Sequence, residues 1–133
     1  MYDHILIPVV PDHAAEFGGA LTVAKRMRSD GGKISALAVL EEMPGYVDAY
    51  IPPDTREANI KSAHADLEKH MGDAADCVIR EGNPSRSILN WAEKNGVDCI
   101  IVPSHKPGFS DYFLGSTAAR VVRHASCSVI VLR

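Results

Sequence analysis

A chain of 133 residues with net charge −3 and 46% hydrophobic residues is sized for one core, since domains commonly hold about 100–150 residues. Its basic residues form no long cluster, which argues against nucleic acid as the main partner, and no apolar run approaches the roughly 20 residues of a membrane span. The start lacks a signal-peptide pattern, and Cys77, Cys99 and Cys127 stand singly in no metal-binding spacing, so reduced thiols in a cytoplasmic protein are the expectation.

His4–Val10 is a short continuous apolar run, the pattern of a strand covered on both faces. Phe17, Ala20, Leu21, Ala24 and Met27 recur at helical spacing, and Gly31-Gly32 are expected to end that helix. Lys33–Leu40 reads as the second strand. Glu41 to Pro53 contains Pro44, Gly45, Pro52 and Pro53 without periodicity, the composition of a long loop, and its Glu41-Glu42 pair reads as solvated charge. Asp54 is the expected N-cap of a helix with Ile60, His64, Leu67 and Met71 on its inner face, which makes His64 a core histidine.

A strand around Asp76–Arg80 follows, broken by Glu81-Gly82-Asn83-Pro84. Ser85–Lys94 reads as a short helix with Ile88, Leu89 and Ala92 inward and Trp91 as a packing residue. Cys99–Val102 is the fourth strand. Ser116–His124 is the fourth helix, with Ala118, Val121, Val122 and Ala125 at helical spacing, and Ser128–Leu132 is the fifth strand.

Five strands alternating with four helices predict a single-domain α/β fold, a Rossmann-like parallel sheet with helices on both faces. If the first strand lies beside the fourth, the crevice between their carboxyl ends is a ligand site, and it brings Pro8–Asp12 to Pro103–Lys106. The Gly115-Ser116-Thr117 helix start closes that crevice with free backbone N–H groups and a positive helix end, which suits an anion. The six histidines show no metal spacing, and there is no nucleophile elbow, Walker loop or catalytic triad.

Three segments, His4-Ile5-Leu6-Ile7-Pro8-Val9, Glu81-Gly82-Asn83-Pro84 and the whole Pro103–Arg133 tail, resemble the bacterial universal stress proteins, in particular their small F- and G-type members. The resemblance implies strand order 3-2-1-4-5, a homodimer paired through the last strand at Val129–Leu132, and binding of ATP, with Mg2+, or of another adenine nucleotide. It places adenine against Val39, base and ribose against Pro8 and Val10, and phosphates on Pro103, Ser104, His105, Lys106, Gly115, Ser116 and Thr117. Any hydrolysis or self-phosphorylation would be slow and secondary.

Two departures from the family pattern stand out. The acid that meets the ribose falls on Val10, with Asp12 as a substitute only if the loop bends back. The first glycine of the phosphate loop is Pro103, which lacks an N–H donor, and the second is Lys106, whose charge can offset the loss. These changes support a rival expectation, a dimeric interaction module that has lost its nucleotide.

Overall fold

The computed structural model describes residues 1–42, 45–104 and 115–133. Five strands, β1 (Tyr2–Val9), β2 (Arg28–Glu41), β3 (Asp76–Gly82), β4 (Cys99–Pro103) and β5 (Ser128–Leu132), form one sheet in the order β3-β2-β1-β4-β5. Every neighbouring pair runs parallel. The helices are α1 (Gly18–Met27), α2 (Gly45–Asp48), α3 (Pro53–Met71), α4 (Pro84–Lys94) and α5 (Ser116–His124), with a 3-10 turn at Ala14–Phe17. The expected α/β class and strand order are therefore present.

Alternation along the strands divides the core in two. Ile5, Ile7 and Val9 with Ile34, Ala36 and Ala38 face α1 and α3, where Ala24, Leu67 and Met71 meet them. Leu6, Leu37, Val39, Ile100 and Val102 face α4 and α5, against Ile88, Ala92 and Val121. Burying each large aliphatic side chain contributes about 1.5–3 kcal/mol, so covering both faces is what holds β1 and β4 at the centre.

The structure corrects several boundaries. Gly31-Gly32 do not end α1, which stops at Met27 as Arg28 turns extended. They lie within β2, where pairing jumps from Tyr2↔Arg28 to His4↔Lys33. Gly31 has φ 78°, and a Cβ on Gly32 would stand 3.1 Å from the Asp3 carbonyl oxygen, so the glycine pair accommodates the extra residues of this bulge. Asp54 is not the N-cap of α3; Pro52 is, Pro53 opens the helix, and Asp54 sits in the first turn where its charge favours the helix dipole. The helix α2 lies within the stretch expected to be loop.

His64 is exposed, 3.6 Å from Glu68, because α3 buries Ala63, Leu67 and Met71 instead. On α5, Val122 is likewise exposed. The core histidine is His4, which is 5% exposed. Its Nδ1 donates to the Asn95 carbonyl at 3.0 Å, since a carbonyl can only accept. In the neutral ring Nε2 then accepts from the Ser35 hydroxyl at 2.8 Å. Trp91 packs edge-on to the imidazole, with centroids 5.7 Å apart.

Asp98 ties the same corner together by accepting the Asp3 and His4 backbone N–H groups at 2.9 and 3.0 Å. Burial works to raise its carboxyl pKa, but the backbone N–H groups of Asp3, His4 and Asp98 outweigh it, and His4 adds to them, so the net shift is downward. A lowered carboxyl stabilises the fold above its unfolded value of about 3.9, and the gain is lost as pH falls through the folded value. Asp98→Asn should therefore be less stable than wild type at pH 7, with the gap closing below about pH 4. Urea melts across pH would show it, and a gap independent of pH would refute it.

Candidate functional site

The strand order reverses between β1 and β4, and a cavity of about 440 Å³ opens beyond the carboxyl ends of β1, β2 and β4. Pro8 and Val10 line it from β1 and its end, Val39 and Glu41 from β2, and Val102 and Pro103 from β4. Ile88 of α4 and Val121 of α5 complete an apolar floor. Gly115, Ser116 and Thr117 supply the polar wall at the start of α5.

The starts of α4 and α5 are satisfied differently. At α4, Gly82 holds φ 144°, a conformation that favours glycine, and delivers Asn83 to cap the helix. The Asn83 Oδ1 accepts from the Arg86 N–H and the Ser85 hydroxyl, both at 3.0 Å. At α5 the N-cap is Gly115, which has no side chain to cap with; the first backbone bond inside the helix runs from the Ala119 N–H to Gly115 O at 2.8 Å. The N–H groups of the first turn, at the cavity wall, thus have no intrahelical partner.

Gly115 itself has φ −57°, which any residue adopts, and a Cβ there would meet nothing within 4 Å. Neither a tight turn nor packing within the described residues demands glycine at this position. What the missing side chain leaves open is the cavity wall.

Of the expected site residues, Pro8, Val10, Val39, Pro103, Gly115, Ser116 and Thr117 all line this one cavity. Ser104 follows at the end of β4, but its backbone N–H donates to Leu132 O at 2.7 Å and belongs to the sheet ladder. His105 and Lys106 lie outside the described residues. Asp12 turns away from the cavity: at φ 64° it accepts the Ser62 hydroxyl at 3.1 Å and lines a neighbouring polar cavity of about 550 Å³ with Glu42, Arg56 and Glu81.

Sequence reasoning missed Glu41. Leu37, Val39 and Glu41 are alternate residues of one strand and share a face, so the signal was the period of two. Three of the remaining wall residues, Phe17, Pro84 and Ile88, come from helices and a turn that only the folded chain brings to the crevice.

Among the described residues no cysteine lines this cavity. Desolvation holds the Cys77 and Cys99 thiols up at about 11, with Glu68 and Asp76 adding at Cys77 and Cys127 and Asp98 adding at Cys99. Burial chiefly raises Cys127 as well. All three stay protonated at neutral pH, and the thiolate is the nucleophilic form. Among the described residues no group of three or more His, Cys, Asp and Glu side chains could hold a metal, and no helix is long and apolar enough to cross a membrane.

The chain matches the universal stress protein family over residues 1–133. Universal stress protein G of Shigella flexneri is 36% identical over 142 residues, spanning the whole of both chains. The structure of universal stress protein UspA from Lactobacillus plantarum has TM-score 0.69 and 25% identity, over 99% of this chain and 98% of that one. A universal stress protein family protein from Arabidopsis thaliana, solved with AMP bound, has TM-score 0.58 and 18% identity, over 97% of this chain and 90% of that one. With a family match along its full length and the strand order that the resemblance implies, this chain belongs to the universal stress protein family.

Proposed function

We propose that this universal stress protein is a one-domain, cytoplasmic nucleotide-binding protein that takes ATP with Mg2+, or another adenine nucleotide, in the cavity beside α5. The observation that carries the reading is the junction of an apolar slot, Pro8, Val10, Val39 and Val102, with the glycine-opened start of α5 at Gly115–Thr117. A flat, apolar-faced base suits the slot, and a phosphate suits unpaired N–H groups at a positive helix end. The AMP held by the Arabidopsis family member supports the ligand class. Ser104, His105 and Lys106 are assigned to the phosphate side on the family pattern.

Titration calorimetry of the nucleotide-stripped protein with ATP and magnesium should give micromolar binding, about −8 kcal/mol. Val10→Asp restores an acid at the ribose side and should tighten binding up to about tenfold, the worth of one ordinary hydrogen bond. Absence of heat, together with an unchanged melting temperature, would reject the nucleotide reading.

The second reading, a dimeric module without nucleotide, draws on Val10 and on Pro103, which brings no N–H to the wall. Both readings assign a homodimer to β5, an edge strand whose Val131 is 40% exposed. Sedimentation of the same sample at micromolar concentration would count against that pairing if only monomer were found.

A further inference from the structure

We propose that the groove between the exposed faces of α4 and α5 is a second binding site, for a small phosphorylated ligand held through its phosphate group. The site does not depend on the nucleotide reading. Asn83, Arg86 and Asn90 line this cavity of about 230 Å³ from α4 and its cap, and Arg120 and His124 line it from α5. Ile88, Ala118 and Val121 of the same helices line the cavity at the strand ends. The two cavities therefore lie on different faces of the helix pair.

The charge in this groove is one-sided. Arg86, Arg120 and His124 are exposed, none of their side chains has an ion pair or hydrogen bond among the described residues, and no carboxylate lines the groove with them. Two other polar cavities mix their signs, with Arg56 among Asp12, Glu41, Glu42 and Glu81, and Arg28 and Lys33 beside Asp73 and Asp76. The helix dipole explains His124, a base in the last turn of α5. It does not explain Arg86, a cation in the first turn of α4, where the positive helix end disfavours it. Asn83 adds a donor of fixed orientation: its Oδ1 accepts from the Arg86 N–H and the Ser85 hydroxyl, so the amide NH2 is the end left for the groove. Two guanidinium forks, an amide NH2 and a positive helix end together offer donors, and a phosphate accepts from all of them. The cavity is smaller than the roughly 300–1,000 Å³ that encloses a drug-sized ligand, so the molecule carrying the phosphate is small.

Inorganic phosphate, titrated at constant ionic strength made up with chloride and followed by amide NMR, provides the test. Phosphate should shift the amides of residues 83–90 and 120–124 as one saturating set. Binding at the start of α5 would show separately, at residues 115–117. Arg86→Gln should weaken the groove set at least tenfold, the worth of a hydrogen bond to a charged group, and leave shifts at 115–117 unchanged. Arg86→Lys keeps the charge without the fork and should fall between the glutamine variant and wild type. In phosphate-free buffer Arg86→Gln should melt no lower than wild type, because the cation it removes opposes the α4 dipole. Shifts confined to 115–117, a groove set that keeps full affinity in Arg86→Gln, or one that chloride alone reproduces would overturn the site. So would a lower melting temperature for Arg86→Gln, which would make Arg86 a residue of the fold.

Discussion

His4→Ala should lower the unfolding free energy by about 3–5 kcal/mol, one of the largest effects open to a single substitution in this fold. Two costs combine. The imidazole is buried at the junction of β1, β2 and the turn after α4, so its removal leaves a void beside Trp91. It also strands the Ser35 hydroxyl and the Asn95 carbonyl, whose hydrogen bonds to the ring are 2.8 and 3.0 Å long. In a domain whose total stability is about 5–15 kcal/mol this is a large fraction, and the melting temperature should fall by roughly 10–20 °C. Ser35→Ala keeps the ring and removes one partner, and should cost less, about 1–3 kcal/mol. Urea unfolding of both variants checks the order; equal losses, or a His4→Ala loss below 1 kcal/mol, would refute the account.

Gly115→Val should weaken ATP binding at least tenfold, and about a hundredfold if it costs one charged hydrogen bond to phosphate. The same change should leave stability within about 1 kcal/mol, because φ −57° and ψ 155° suit valine and the new Cβ meets no neighbour within 4 Å among the described residues. The contrast between the two readouts is the point of the experiment. A glycine required for folding would show a stability loss; a glycine required for ligand approach shows loss of binding alone. Gly115→Ala adds a single methyl and should fall between the valine variant and wild type. Calorimetry with matched thermal melts decides it, and full affinity in the valine variant would remove α5 from the site.

The sheet was readable because buried parallel strands are written as unbroken apolar runs. Ile5-Leu6-Ile7 and Ile100-Ile101-Val102 fill opposite faces at successive positions, and both lie in the core. The α1 boundary was harder, because a Gly-Gly pair after an amphipathic stretch fits a helix stop as well as a strand bulge. Only the pairing with Tyr2 and His4 distinguishes them. On α3, Leu67 and Met71 are buried as expected, and the difference lies one turn earlier. Ala63 takes the place given to His64, and alanine carries too little hydropathy to announce a core position.

His4 shows the limit from the other direction. Its partners Ser35 and Asn95 are remote in sequence, so no local spacing marks them as a set. The candidate site divides along similar lines. Pro8, Val10, Val39 and Gly115–Thr117 follow from strand ends and a helix start. Glu41 stood in sequence beside Glu42 and read as solvent-facing charge, although counting every second residue from Leu37 reaches it.

The cavity beside α5 has walls from β1, β2, β4 and α5, the earliest strand and the last helix among them. No continuous fragment can rebuild such a pocket, so its affinity vanishes as soon as the sheet comes apart. A bound ligand at a hundred times its dissociation constant would add about 2.7 kcal/mol to global unfolding. Amide hydrogens that exchange only through complete opening should then slow together, at β3 far from the ligand as much as at β1. Protection spread over the whole sheet, and not confined to the cavity rim, is the signature this arrangement of walls imposes.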